Sequence, residues 1–508
     1  MRLSGKAPFD ALEPWDEHNQ RLAANVHPQN WVNPTPKRRY HLVVVGGGTA
    51  GLVTAAIAVA LGARVALIEE RLMGGDCLNV GCVPSKAIIR SARVRSASGQ
   101  AEEGARAITS PLEFAAAMAR MRRLRSEISA HDSAARFTEL GVDVYFGRAA
   151  FVGDGVIEVA GAKLKYSKAV IATGTRASIP DVPGLPKSEV LTNETVFSLT
   201  ELPARLAVMG GGAIGCELAQ AFAQLGSRVT ILESGPRILS KDDADAAAVV
   251  HTALEASGIE ILVNMEVTKA ERDGDWTIPY RSPAGSGTLA ADELLVAAGR
   301  AANVEGLGLE KVGVEFDTQR GIHVDDTLRT ANPGIYAIGD VASGARFTHV
   351  ADAHARMVVR NALFFGRGKV SSLAIPWCTY TSPELAHVGI TSEEAARRAA
   401  EIETVTVPFS TVDRAKLDSQ EEGFLRVHLK KGSDTIFGAT LVGEHAGEII
   451  TQITQAMTAG VGLGKLGEAI YPYPTRAEIV RKAADAWRRQ KLTPAAKRGF
   501  QLFFRLRR

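Results

Sequence analysis

The sequence predicts an α/β protein: two parallel, doubly wound units followed by a smaller α+β domain. Three observations predict it. A strand, a glycine-rich turn, a helix and a second strand ending in an acid run through residues 41–69. The same order returns over residues 205–233. From about Ser372 the pattern changes to short alternating strands, which suit half-exposed antiparallel sheet. A length of 508 residues agrees with about three domains.

The elements follow in chain order. Residues 1–39 are polar and rich in Asn, Pro and His, with no run able to serve as a signal-peptide core. They are expected to form an extended arm that packs on the body through Trp15 and Trp31. The apolar run 41–45 reads as a buried parallel strand. It enters a turn in which Gly46, Gly48 and Gly51 let backbone approach a pyrophosphate, while the following helix N-terminus favours its charge. The run 64–68 then ends in Glu69, placed to hold ribose hydroxyls. This is the full strand–turn–helix–strand context of a Rossmann-like dinucleotide site. The second copy carries Gly210, Gly212 and Gly215 and ends in Glu233. Two complete units imply two dinucleotides.

Two further segments join the plan. Residues 170–174 read as a strand turning at Thr173 and Gly174, and residues 334–340 as a strand ending in Gly339 and Asp340. An acid after glycine at a strand's carboxyl end can bind a sugar or ribitol hydroxyl. Gly299 is grouped with these cofactor-binding positions. The first nucleotide domain is therefore expected in two pieces, 40–185 and 320–371, around a second at 186–319. A third domain spans 372–490, with strands at 404–408, 423–429 and 435–442 and helices at 446–459 and 476–489. The basic-aromatic tail 491–508 is expected to be a frayed, solvated end. Contact with an anionic membrane surface is its alternative.

The chemistry is written in residues 74–86, where Cys77 and Cys82 lie five positions apart. Two thiols in one short loop can close a small ring. Pro84 suits the first turn of a helix, and a thiol at a helix N-terminus is held closer to thiolate. A zinc site would need two more ligands at matching spacing, yet Cys216 and Cys378 stand alone. Nothing marks the chain as secreted, which disfavours a structural disulfide. The pair reads as a redox-active disulfide facing a flavin. Composition adds bounds: 46% hydrophobic, 23% charged and a net charge of +3, too small to imply nucleic acid. No stretch approaches the ~20 apolar residues of a membrane span, and four cysteines fit a reducing cytoplasm.

These motifs, in this order over about residues 40–490, resemble the flavin-dependent pyridine nucleotide–disulfide oxidoreductases. That family includes dihydrolipoamide dehydrogenase, glutathione reductase and mercuric reductase. The resemblance implies FAD in the split domain, NADH or NADPH in the inserted one, and a homodimer made through the third. It implies that Cys82 is the thiolate against the flavin and Cys77 the interchange thiol. Lys86 would sit near flavin N5, and Glu217 would pair with Lys86. Enzymes of this family that act on lipoamide or glutathione carry His-Pro-Thr and then Glu in a segment that completes the partner's site. Here the segment is Tyr473-Pro474-Thr475 with Glu478 kept.

The exchange matters because histidine titrates near neutrality and can move a leaving thiol's proton. Tyrosine, with an ordinary pKa near 10, is a poor base at pH 7. Tyr473 therefore resembles mercuric reductase, where a tyrosine lies beside the metal, unless it only packs while another group handles protons. The expected acceptor is a thiophilic metal ion such as Hg(II), held transiently as substrate by Cys77 and Cys82. No cysteine follows Cys378, whereas mercuric reductases usually end in a vicinal pair. No metal-binding Cys-x-x-Cys module precedes the first fold either, so metal is expected to reach the inner pair directly or as a small thiol complex. Cys378 itself is expected to be a buried spectator. A small or protein disulfide is the first rival acceptor. A redox sensor or membrane-surface partner is the second rival. Glu233 favours NADH by repelling a 2′-phosphate, while Arg237 stands four residues on as a group able to reach one.

Overall fold

The computed structural model describes residues 12–100 and 111–507. By internal packing the chain forms two compact units. One comprises the described residues of Met1–Gly211 with Leu218–Ser234 and Met265–Ser372. The other comprises Gly212–Glu217, Gly235–Asn264 and the described residues of Leu373–Arg508.

In the first unit, Tyr40–Val45 lies between Val65–Glu69 and Ala162–Ile171, all parallel, with Val44 opposite Leu67 and Val170. Asp143–Phe146 extends one side. On the other, the late strand Ile335–Ala337 pairs with the end of Ala162–Ile171. Residues 42–45, 65–68 and 169–171 are apolar and buried because both faces are covered there. Tyr40, Val43, Ile171 and Ile335 have no exposed surface. A second parallel set places Arg205–Met209 between Arg228–Leu232 and Glu293–Val296. Both sets leave their carboxyl ends at glycine turns, the usual place for a ligand in such sheets.

The N-terminal arm is not extended. Glu17–Val26 is a helix, capped by Asp16, whose carboxylate accepts the Asn19 N–H. Leu22 and Val26 supply a buried apolar face, so the segment's polar composition hid an amphipathic stripe. Trp31 packs as expected: its ring stands edge-on to Phe146 and its N–H donates to the Val144 carbonyl. Trp15 is 44% exposed. Residues 1–11 of the arm lie outside the described residues.

The second unit holds a five-stranded antiparallel sheet in the order Pro376–Thr379, Glu384–Gly389, Ile436–Gly443, Phe424–Lys430, Ile402–Pro408. Ala446–Ala459 and Glu478–Gln490 cover it with Ile449, Ile453, Ile479 and Ala483. A buried polar seam runs through the same unit. Asp243 accepts hydrogen bonds from the Ser392 N–H and hydroxyl and from the Thr440 hydroxyl. His387 meets the same threonine, and His428 lies against Thr404 at 3.0 Å. The tail is not frayed: Pro494–Leu506 is a helix. Arg508 lies outside the described residues.

Candidate active site

The two glycine turns share one construction. Gly46 has φ +108°, and a Cβ there would stand 2.3 Å from the Ala172 carbonyl oxygen. Gly210 has φ +112°, and its Cβ would stand 2.6 Å from the Ala297 oxygen. Only glycine fits either place. Each strand-end acid then reaches back to its own turn. The Gly47 N–H donates to Glu69 at 2.6 Å, and the Gly211 N–H donates to Glu233 at 2.7 Å. Each carboxylate keeps lone pairs for a sugar hydroxyl. Gly48 caps the helix Thr49–Ala60 without any side chain, leaving its N-terminal N–H groups open to a phosphate. Gly51 is buried in the first turn of that helix. Gly212 and Gly215 lie at the start of Ala213–Leu225.

Arg237 is spent elsewhere. Its guanidinium donates to the carbonyls of Ile238, Leu239, Ser240 and Asp242, which fold its own loop around it.

The redox segment is more ordered than a loop. Cys77 lies in the short helix Gly75–Asn79, and Cys82 begins the helix Cys82–Gln100. No disulfide links the two sulfurs. The Cys77 thiol is pushed well up, first by its hydrogen bond with Cys82, then by burial and by Cys82's charge. Cys82, exposed at a helix N-terminus and 3.3 Å from the Thr348 hydroxyl, is the sulfur better placed to carry charge. Lys86 follows one turn along the same helix face.

A polar network that sequence reasoning missed lies beside it. Arg300 donates to the carboxylate of Asp76, to the Thr175 hydroxyl at 2.7 Å and to the Thr175 carbonyl. The same hydroxyl donates to Asp340. Burial pushes both carboxyls up, Asp76 and Asp340, and Arg300 opposes the rise at each. Asn303 exchanges hydrogen bonds with Thr173 and donates its N–H to the Gly174 carbonyl. The Gly299 carbonyl takes the Ser178 N–H. The adjacency of Asp76 to Cys77 and of Arg300 to Gly299 was the available signal. The cradle of Gly46, the open N-terminus after Gly48, Glu69 and the half-buried Asp340 fit an adenine dinucleotide with a ribityl chain.

The segment between the cysteines is braced from behind. Arg125 is almost fully buried, and burial brings its pKa down to about 10. It donates to the Asn79 carbonyl at 2.6 Å and to the Asn19 side chain at 2.7 Å. Asn19 belongs to the N-terminal helix, so that helix supports the redox segment.

The remaining candidates lie in the second unit. Glu217 is buried and accepts the Tyr380 N–H. Tyr473 is 70% exposed, and its hydroxyl donates to Asp413 at 3.0 Å. That hydrogen bond, with Asp413's charge, pushes the tyrosine further from neutrality. Glu478 is buried and held by Arg481, not by Tyr473. Cys378 is half-buried against the sheet core rather than fully enclosed.

The chain is similar to known proteins over most of its length. Mercuric reductase of Bacillus cereus is 33% identical over 446 residues, 87% of this chain and 71% of that one. Dihydrolipoyl dehydrogenase of Thermus scotoductus is 34% identical over 461 residues, covering 90% and 99%. Among solved structures, the Cu(II) complex of the HOCl-induced flavoprotein disulfide reductase RclA from Escherichia coli superposes with a TM-score of 0.78. It is 28% identical, over 87% of this chain and 98% of that one. Residues 375–484 match the dimerisation domain of the pyridine nucleotide-disulphide oxidoreductases, which supports a homodimer. Residues 40–355 match the main model of the same family, whose members use FAD and NAD(P)H. The chain belongs to the pyridine nucleotide-disulphide oxidoreductase family.

Proposed function

We propose that this oxidoreductase uses NADH to reduce a thiophilic metal ion of the Hg(II) type through Cys77 and Cys82. Tyr473 carries the reading. It stands where acid–base histidine is found in disulfide-reducing relatives, and Asp413 pushes it away from useful proton transfer. The names of the mercuric reductase relatives and the Cu(II) held by RclA add support.

Bound FAD supplies the exchange between a hydride from NADH and an electron pair for the disulfide. Gly46, Gly48, Gly51, Glu69, Thr173, Gly174, Gly339 and Asp340 are assigned to hold it. Gly210, Gly212, Gly215, Glu233 and Gly299 are assigned to the nicotinamide nucleotide. Lys86 and Glu217 are assigned places near the flavin. The reduced pair binds the metal ion through both sulfurs, Cys82 as thiolate and Cys77 after losing its proton. Two electrons pass to the metal and the Cys77–Cys82 bond re-forms. Thiols displaced from a metal–thiol complex take up the proton that Cys77 loses, so no histidine is required to supply one. Soft sulfur ligands favour soft metals.

Disulfide reduction is the second reading, supported by the dihydrolipoyl dehydrogenase relatives. Parallel assays with Hg(II)–thiol complexes and with oxidised lipoamide separate the two. NADH consumption with lipoamide alone overturns the metal reading.

NADH is preferred over NADPH in this proposal. Glu233 repels a 2′-phosphate, and Arg237 has its guanidinium committed to its own loop's carbonyls.

A further inference from the structure

The helix Pro494–Leu506 is well specified by its own sequence. Thr493 caps it by accepting the Ala496 N–H at 3.2 Å, proline fills the first position, and Arg505 lies in the last turn. Yet none of its side chains is buried. Phe500, Leu502, Phe503, Phe504 and Leu506 are all exposed, Phe504 at 64% and Leu506 at 80%.

At 100° per residue these apolar side chains occupy one broad side of the helix. Lys497, Arg498, Gln501 and Arg505 occupy the other. The charge is one-signed. Residues 486–508 contain eight Lys and Arg and no Asp or Glu. Lys497, Arg498, Arg505 and Arg507 have no acidic partner among the described residues.

We infer that this helix docks in the plane of an anionic membrane surface. The phenylalanines and leucines enter the acyl boundary, and the cations meet the headgroups. An apolar face rich in Phe and Leu, opposite a Lys/Arg face, is the form that lies in a bilayer interface. Anionic leaflets attract such clusters over about a Debye length. The charge selects this occupant over a second copy. A second copy would cover the apolar side but leave the one-signed cations on the other side unmet, whereas an anionic surface meets both.

The test uses the full-length, FAD-loaded protein and vesicle flotation at low salt. One set of vesicles mixes phosphatidylglycerol with phosphatidylcholine, and the other is phosphatidylcholine alone. Protein floats with the anionic vesicles only, and flotation falls as salt is raised. The variant Phe503→Ser/Phe504→Ser lowers the bound fraction about tenfold or more while keeping NADH-dependent dye reduction, so lost folding is excluded. The variant Lys497→Gln/Arg498→Gln/Arg505→Gln removes the preference for anionic lipid. Three results overturn the inference: no flotation of the native protein, equal flotation of native and Phe503→Ser/Phe504→Ser proteins, or a fall in molar mass by light scattering in that variant. The last would mean that a second copy covers the face.

Discussion

The Cys77–Cys82 segment and the Tyr473 segment differ in how they are held. The first begins and ends in helices, carries a hydrogen-bonded cysteine pair and is backed by a buried arginine. The second is an exposed stretch whose tyrosine leans on a surface aspartate. Under the proposed function, electron delivery sits in a fixed cage, while Tyr473, the residue assigned to the acceptor, is open. On that reading the contrast teaches that acceptor choice can change by one side chain without disturbing the redox pair.

The largest effect comes from breaking the cage's chemistry. Cys82→Ser abolishes reduction of thiol-bound metal and keeps FAD; loss of flavin on purification contradicts the role given to Cys82. Cys77→Ser leaves a Cys82 thiolate facing the flavin and adds a long-wavelength absorption band. A plain yellow spectrum means the two sulfurs have been assigned in reverse.

On the open side, Tyr473→His raises NADH–lipoamide turnover by about 10²-fold, the usual worth of a placed general acid–base group. An unchanged rate removes Tyr473 from acceptor choice.

Stability separates the two units next. Burial pushes His428 in the second unit down to about 4 from an ordinary 6.5. It is neutral in the fold, whereas the unfolded chain takes up a proton near pH 6.5. Its contribution is intact above that pH and is lost as pH falls toward 4, by about 3 kcal/mol at most. Denaturant midpoints across that range, with His428→Gln as control, measure it; a flat profile contradicts a buried neutral histidine.

In the first unit, Arg125→Met leaves the Asn79 carbonyl and Asn19 oxygen without donors. It costs about 2 kcal/mol, read by thermal unfolding. An unchanged melting temperature removes the brace from the account. The smallest effect is on the nucleotide. Native protein has the higher kcat/KM with NADH, and Glu233→Gln narrows the ratio about tenfold, the worth of one charge-assisted hydrogen bond. Higher kcat/KM of the native protein with NADPH overturns the preference.

Much of this was legible because glycine and cysteine report local geometry. Gly46 and Gly210 lie where a Cβ would strike a carbonyl, and a turn of that kind leaves its mark in sequence whatever surrounds it. The antiparallel strands were legible because alternation follows from one covered face. The Asp76–Arg300–Thr175–Asp340 network was legible only at Asp340, marked by the glycine before it; its members are up to 264 positions apart, and Asp76, Arg300 and Thr175 are ordinary polar residues alone. The N-terminal helix was missed because Leu22 and Val26 make a narrow stripe within polar sequence. The tail was misjudged because position at a terminus outweighed a cap, a proline and a regular apolar period.

The most direct test of the central claim is NADH oxidation by the purified flavoprotein in two cuvettes. One holds Hg(II) with excess small thiol, and the other holds oxidised lipoamide. The account predicts metal-dependent turnover in the first and little in the second. Fast lipoamide turnover with an inert metal cuvette would contradict it and make Tyr473 compatible with disulfide chemistry.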